Sequence, residues 1–189
     1  MAFLRLPVEP TPVSGPVPRV QETTFERLFA QYSTPIFNYV LRMVGDGDRA
    51  ADIVQDTFIK AYRRLDSLTD EAATRSWLYR IATNTAIDEM RRRRFVTPLG
   101  DQEAHHNRPD SRPTPEEQFI ASSLDARIQR ALLRLRPNHR QCILLSDLQD
   151  MSAQQIGEVM DMSHGAVRTL LCRARGEMRR ELAKEGIGA

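Results

Sequence analysis

Residues 152–175 of the chain read SAQQIGEVMDMSHGAVRTLLCRAR, a pattern of two short helices separated by a tight turn. Ser152 and Gln155 have the spacing of a capping box, in which a hydroxyl and an amide bond free N–H groups at a helix start. Ser163 is a good N-cap for the second helix. Asp161 lies in the turn, where it tolerates a left-handed backbone better than most side chains do. The stretch therefore predicts a helix-turn-helix motif.

The second helix of this motif is predicted to have one apolar face and one basic face. At about 100° per residue, the apolar face gathers Val167, Leu170, Leu171, Ala174, Met178 and Leu182. The opposite face centres on small residues flanked by arginines: Gly165, Thr169, Cys172 and Gly176, with Arg168, Arg173, Arg175, Arg179 and Arg180. Small residues permit close approach to DNA, and arginines bind phosphates or guanine edges. No acidic residue lies between Asp161 and Glu177, whereas a solvated helix mixes charge signs, so the pattern favours DNA contact.

The whole chain is predicted to be all-α, because apolar residues recur at three- and four-residue spacing and no β-alternation competes. Composition divides it into a disordered Pro-rich lead (1–22), a small helical domain (23–95), a flexible polar linker (96–119) and a second small helical domain (120–187). Pro35 is predicted to break or kink the first helix.

Composition also excludes several classes of protein. The net charge of +2 over 189 residues rules out a globally basic coat protein. There is no apolar run of about 20 residues and no secretory signal, so we predict a cytoplasmic protein. Cys142 and Cys172 lack a CxxC neighbour, and His105 and His106 lie in a polar, Pro-flanked stretch. Without a Gly-rich phosphate loop or a Ser-His-Asp spacing, we predict no metal, no cofactor, no small-molecule substrate and no enzymatic activity.

A second polar stripe lies on the predicted helix over residues 75–94, RSWLYRIATNTAIDEMRRRR. Arg80, Asn84, Ile87 and Arg91 recur at three- and four-residue spacing, opposite a face that carries Trp77, Ile81 and Thr85. Asparagine and arginine side chains bind the edges and phosphates of unstacked bases. The four arginines that end the helix also suit a purely structural role, since they complement the helix dipole.

The order of these motifs resembles one bacterial family. DIVQDTFIKAYRRL (52–65), WLYRIATNTAID (77–88) and then the helix-turn-helix are similar to the extracytoplasmic-function branch of the sigma-70 family of sigma factors. The resemblance spans residues 25–184. It implies a sigma region 2-like helical bundle followed by a region 4-like helix-turn-helix domain. It also implies a transcription initiation factor that binds core RNA polymerase and promoter DNA, with an anti-sigma factor as a further partner.

The resemblance implies a role for each of three surfaces. The clamp helices of the largest polymerase subunit would bind the second helix, at Asp52, Gln55, Asp56, Ile59 and Lys60; the flap of the second-largest subunit would bind the second domain. The loop from Leu68 to Arg75 and the third helix would bind and melt the −10 element, with candidates Arg75, Arg80, Thr83, Asn84, Ile87 and Arg91. The recognition helix would read the −35 element through Gly165, Arg168, Thr169, Cys172 and Arg173, with Arg175 beside them.

Alternative interpretations remain open for parts of the chain. Asp52 and Asp56 also suit ordinary solvent-facing charge, paired along the helix with Lys60 or Arg49. A helix-turn-helix regulator that binds operator DNA without polymerase explains residues 140–184, but it leaves the 52–65 helix without a role. A metal hydrolase that uses His105 and His106 is the remaining alternative, and the linker context makes it a poor one.

Overall fold

The computed structural model describes residues 19–68, 73–96 and 123–188, and within these ranges it is helical without any strand. The predicted all-α fold is confirmed. We number the helices in chain order: α1 Arg19–Val44, α2 Gly47–Arg63, α3 Thr74–Val96, α4 Leu124–Arg134, α5 Pro137–Ile143, α6 Ala153–Met160 and α7 His164–Lys184. A 3-10 turn at Leu65–Ser67 follows α2, and a π-helical segment at Leu144–Leu148 follows α5.

Helix α1 corrects two predictions. It runs without a break through Pro35, which was predicted to break or kink it, so the break does not occur. Ile36, Tyr39 and Val40 follow the proline and are fully buried, so packing outweighs the single backbone hydrogen bond that proline removes. Residues 19–22, predicted to belong to the disordered lead, are helical, and residues 1–18 lie outside the described ranges.

Helices α1 and α2 are joined by a tight turn. Gly45 has a φ of 75°, and Asp46 caps α2 by accepting a hydrogen bond from the backbone N–H of Arg49 at 3.0 Å. A Cβ on Gly45 would lie 2.7 Å from a methyl carbon of Leu133, a residue of α4. The turn therefore needs glycine for its backbone conformation and for its close contact with the second group of helices.

The helix-turn-helix forms as the sequence predicts. Ser152 and Gln155 make the reciprocal capping box of α6, and the Ser163 hydroxyl caps α7. Asp161 ends α6 in the left-handed conformation, with φ 56° and ψ 50°. Gly157, which no sequence motif marks, lies close to the turn: an added Cβ would lie 2.5 Å from the backbone oxygen of Met162.

The two groups of helices, α1–α3 and α4–α7, pack against one another. Their buried side chains form one contiguous hydrophobic core. The buried Arg140 guanidinium joins them: it donates to Met43 O at the end of α1 and to three carbonyls of residues 132–135. Residues 97–119 of the predicted linker lie outside the described ranges, while Val96 belongs to α3. Among the described helices, none has the length and hydrophobicity that crossing a membrane requires.

Candidate nucleic-acid interface

The N-terminal half of α7 presents a small, basic surface to solvent. Val167 and Ala174 are fully buried and hold the helix against the domain. The predicted DNA contacts lie on the opposite side, and all are exposed: Gly165, Arg168, Thr169, Cys172 and Arg173. The Thr169 hydroxyl donates to Gly165 O at 3.1 Å, which directs this polar group to the backbone of its own helix. No atom would lie within 4 Å of a Cβ on Gly165, so a neighbouring molecule can approach the backbone there.

Arg175 differs from the other predicted contacts because the protein itself engages its guanidinium. Its Nη2 donates to Asp147 Oδ1 at 2.6 Å and to Ser146 Oγ at 3.1 Å, both in the π-helical segment. Burial raises the pKa of the Asp147 carboxyl, but hydrogen bonds from Arg175 and Ser146 outweigh it and hold that pKa below its ordinary value. Arg175 therefore lies at the edge of the basic surface, and its hydrogen bonds hold α7 against the π-helical segment.

Helix α3 places most of its predicted polar stripe on the surface. Arg80, Asn84 and Arg91 are exposed and Ile87 is half-buried. A single strand of nucleic acid can therefore reach all four side chains. Thr83 corrects the prediction that it faces DNA: it is buried, 1% exposed, and its Oγ1 lies 2.8 Å from Tyr39 Oη. Thr83 is four residues from the buried Tyr79 and shares its side of the helix, whereas Arg80 and Asn84 share the other.

Arg75, at the start of α3, is half-buried between the two groups of helices. Its guanidinium donates to the backbone oxygen of Gln149 and lies 6.0 Å from the ring centroid of Tyr79. The Tyr79 hydroxyl donates to the Gln149 side-chain oxygen. Burial raises the pKa of this phenol far above its ordinary value, and Arg75 opposes that shift only in part. Tyr79 is therefore a neutral hydrogen-bond donor at neutral pH.

Helix α2 carries the predicted polymerase contacts. Asp52, Gln55, Asp56 and Ile59 are exposed, whereas Lys60 is half-buried and donates to Thr85 Oγ1 of α3 at 3.0 Å. The structure thus brings four of the five predicted side chains to one accessible face. Lys60 instead holds α2 and α3 together.

An apolar groove that no sequence motif predicted lies beside this face. It lies between α1 and α2, has a volume of about 820 Å³ and is lined by Phe25, Phe29, Phe58 and Tyr62 among others. Phe29 is 47% exposed and Tyr62 51% exposed. Gln55 and Ile59 also line the groove, so it is continuous with the exposed face of α2. The signal in the sequence is the presence of aromatic residues at helical spacing on both of the helices that form the walls.

Neither cysteine has the surroundings of a metal or catalytic site. Cys142 is buried, and burial raises the pKa of its thiol to about 11; Cys172 is exposed on α7. No cluster of three or more His, Cys, Asp or Glu side chains is arranged to hold a metal ion in the part of the chain that the structure describes. His105 and His106 lie outside that part.

Comparison with known proteins identifies both halves of the chain. The family model for Sigma-70 region 2 matches residues 28–96, and the model for Sigma-70, region 4 matches residues 125–178. The RNA polymerase sigma factor YlaC of Bacillus subtilis is 31% identical over 164 residues, which cover 85% of this chain and 93% of YlaC. SigW of the same organism, an ECF RNA polymerase sigma factor, is 30% identical over 173 residues, which cover 88% of this chain and 92% of SigW.

Some relatives are longer than this chain. The alignment with the ECF sigma factor SigE of Mycolicibacterium smegmatis, 30% identical, covers 85% of this chain but only 62% of SigE. Two solved structures share the fold. Sigma factor RpoE of Bartonella quintana, in complex with the anti-sigma factor NepR, has a TM-score of 0.67 at 23% identity and covers 85% of this chain and 98% of its own. CnrH, in complex with the cytosolic domain of CnrY, has a TM-score of 0.61 at 24% identity and covers 86% and 90%.

Region 2 and region 4 match in the same order as the two groups of helices, and YlaC and SigW match along nearly their whole length. The chain belongs to the sigma-70 family of RNA polymerase sigma factors, in its extracytoplasmic-function branch.

Proposed function

We propose that the chain directs core RNA polymerase to promoters, melting the −10 element with α1–α3 and reading the −35 element with α6 and α7. One observation carries this proposal: a helix-turn-helix with an exposed small, basic face is packed onto a bundle that exposes a second polar stripe on α3. An operator-binding regulator needs only the first of these surfaces. Polymerase supplies the chemistry, so the chain acts by binding and not as an enzyme, and it works where polymerase does, in the cytoplasm.

The recognition helix α7 reads duplex DNA in the major groove. Arg168 and Arg173 flank the small residues and contact phosphates or the O6 and N7 atoms of guanine. DNA comes closest to the helix at the small residues Gly165, Thr169 and Cys172. There the Thr169 methyl group contacts a thymine methyl group or a sugar. Cys172 and Leu170 occupy positions where the family often has larger or basic residues. The promoter sequence that this chain reads therefore differs from those of relatives with such residues.

The exposed stripe on α3 holds the opened strand of the −10 element. Asn84 has both donors and acceptors for a base edge, Arg80 and Arg91 are placed for phosphates, and Ile87 offers an apolar contact to a base face. Arg75 joins this surface once Gln149 releases it. Thr83 acts from the interior, where its hydrogen bond to Tyr39 fixes the rotation of α3 and thereby the direction in which Asn84 points.

The exposed face of α2 is the proposed contact for the clamp helices of polymerase, through Asp52, Gln55, Asp56 and Ile59. The aromatic groove continues this face and offers apolar area that the charged residues alone lack. The second domain is proposed to contact the flap. Because RpoE was solved with the anti-sigma factor NepR, and CnrH with the cytosolic domain of CnrY, we also propose that an anti-sigma factor controls this chain.

Run-off transcription with core polymerase and a library of promoter fragments tests the proposal. We expect specific transcripts that depend on this chain and are lost with Asn84→Ala and with Arg168→Ala. Lys184→Ala is the matched control: it removes a cation from the same helix as Arg168, about one turn beyond Arg180, the last arginine of the basic face, where Lys184 pairs with Glu181. Duplex binding without any new transcript would overturn the proposal and favour a regulator that acts without polymerase.

A further inference from the structure

Two pairs of aromatic rings cross the groove between α1 and α2. The ring centroids of Phe25 and Tyr62 lie 5.1 Å apart, and those of Phe29 and Phe58 lie 4.8 Å apart, both edge-to-face. These contacts fix the walls of the groove, yet Phe29 and Tyr62 each keep about half of their surface accessible to solvent. A contiguous apolar surface of this kind marks a binding site. The groove is therefore a preformed apolar site that is open to solvent.

The first residues of the chain are apolar and are separated from α1 by a proline-rich stretch. Residues 1–8, MAFLRLPV, which we call the apolar segment, include Phe3, Leu4 and Leu6. Residues 9–18 contain four prolines, no aromatic side chain and no aliphatic side chain larger than valine. Eight residues are too few to bury three large apolar side chains among themselves. The apolar segment therefore gains free energy from contact with apolar surface on the folded part of the chain.

The proline-rich stretch is long enough to bring the apolar segment back to the groove. Helix α1 begins at Arg19, and the groove extends along it from Phe25 to Phe37. At 1.5 Å per residue, these two residues lie about 9 and about 27 Å from the start of the helix. Residues 9–18 can span up to about 31 Å in the polyproline II conformation. An extended apolar segment is about 26 Å long, against about 18 Å of groove, so it can reach the groove and fill its length.

Charges at the edges of the groove complement the charge of the apolar segment. Glu26 on α1 and Asp52 and Asp56 on α2 are exposed, and each is adjacent in sequence to a residue that lines the groove. Arg5 is the only charged side chain of the apolar segment. Arg63 lines the opposite end of the groove from Asp52, so repulsion there favours a position of Arg5 near the acidic end.

We propose that the apolar segment docks in this groove of its own chain, places Phe3, Leu4 and Leu6 against the aromatic rings, and covers the contact for polymerase. Gln55 and Ile59 line the groove and also belong to the exposed face of α2 that is proposed to bind the clamp helices. The two partners cannot occupy these side chains at once, so polymerase must displace the segment. The docking depends only on the groove and the segment, whereas the competition rests on the proposed function.

Paired substitutions outside the helices test the docking in the full chain. Phe3→Asp/Leu6→Asp, the segment variant, places two carboxylates against apolar surface and is expected to release the segment from the groove. Val13→Asp/Val17→Asp, the control variant, adds the same two charges to the proline-rich stretch. Neither variant changes a residue of α1–α7, so both are expected to fold as the wild type does.

Two quantities are measured for each variant: the amide chemical shifts by NMR and the Kd for core RNA polymerase. Relative to wild type, the segment variant is expected to shift the amide signals of Phe29, Phe58 and Ile59, and the control variant should leave them unchanged. The Kd of the segment variant for polymerase should fall by about fivefold. Tethering gives the segment an effective concentration of a few mM, about five times the Kd of about 1 mM expected for so short a peptide. A free peptide of residues 1–10, added to the segment variant, should restore the wild-type groove signals.

Amide signals of the groove that are the same in the wild type and the segment variant overturn the docking. Wild-type signals that move toward those of the segment variant on dilution also overturn it, because a second copy of the chain then occupies the groove. A polymerase Kd that is unchanged or higher in the segment variant overturns the competition. Failure of the proposed function looks different: neither the wild type nor the segment variant then binds polymerase, while the shifts of the groove signals remain.

Discussion

Gly157 and Gly165 lie in the two helices of the helix-turn-helix, and we expect the same substitution to have opposite effects at the two positions. A Cβ on Gly157 would lie 2.5 Å from Met162 O, a backbone atom in the turn, and 3.9 Å from a methyl carbon of Val167. A Cβ on Gly165 would meet no atom within 4 Å. Alanine at Gly165 therefore changes only the helix propensity, whereas alanine at Gly157 adds a steric clash to the same change.

The structure sets the magnitude at each site. Alanine is favoured over glycine by up to about 1 kcal/mol in a helix, and less near an end, so Gly165→Ala should stabilise the chain by about 0.5 kcal/mol. At Gly157 the Met162 carbonyl must retreat by roughly 0.9 Å to reach ordinary contact. Such overpacking costs about 1–3 kcal/mol, which outweighs the propensity gain and leaves a net loss of about 1–2 kcal/mol.

Thermal and urea unfolding followed by circular dichroism measure these effects. For a chain of this size, 1 kcal/mol corresponds to a shift in Tm of about 2–4 °C. Gly157→Ala should also weaken duplex binding, because the Met162 N–H bond to Gly157 O, 2.9 Å long, sets the angle between α6 and α7. Gly165→Ala should weaken duplex binding despite its added stability, since its methyl group lies on the proposed DNA face. A Gly157→Ala chain as stable as the wild type would refute the reasoning.

Three further outcomes are expected. Asp161→Gly should raise the free energy of unfolding by about 0.5–1 kcal/mol, because glycine adopts the left-handed backbone without a steric cost; a loss of stability would contradict this. Asp147→Asn should destabilise the chain at neutral pH, and the difference from wild type should vanish as the pH falls below about 4, since a depressed carboxyl pKa contributes stability only while the group is ionised. A difference in unfolding that is constant with pH would show that the Arg175 pair contributes nothing. Tyr39→Phe should cost about 1 kcal/mol by removing the buried bond to Thr83 and should reduce run-off transcription more than duplex binding; equal losses in both assays would argue against a role for that bond in orienting α3.

Much of the fold was predictable from short-range features of the sequence. The capping box at Ser152, the N-cap at Ser163 and the left-handed Asp161 depend on residues within three or four positions of one another, and all three are confirmed. Helical periodicity likewise separated the buried Val167 and Ala174 from the exposed Arg168 and Thr169. These features are local, so a linear pattern contains the information needed to predict them.

Other features depended on neighbours far away in the chain. Pro35 was predicted to break or kink α1, and the break does not occur because the burial of Ile36 and Tyr39 keeps the helix continuous. Thr83 was assigned to the DNA face by resemblance, yet a tyrosine 44 residues away holds it in the interior. Phe29 is a large apolar residue that remains exposed, because the groove between α1 and α2 is open there.

The sequence was sufficient for the helices, the helix-turn-helix and the family, because caps, periodicity and motif order are written within single segments. Which basic residues are available to DNA is a different kind of property. In the sequence, nothing distinguishes Arg75 and Arg175 from Arg80 and Arg168. In the structure, Arg75 donates to Gln149 and Arg175 donates to Asp147. Arg80 and Arg168 are exposed. The packing of α1–α3 against α4–α7 brings Gln149 to Arg75, and the packing of α7 against the π-helical segment within the second group brings Asp147 to Arg175. No pattern along the chain encodes those distances.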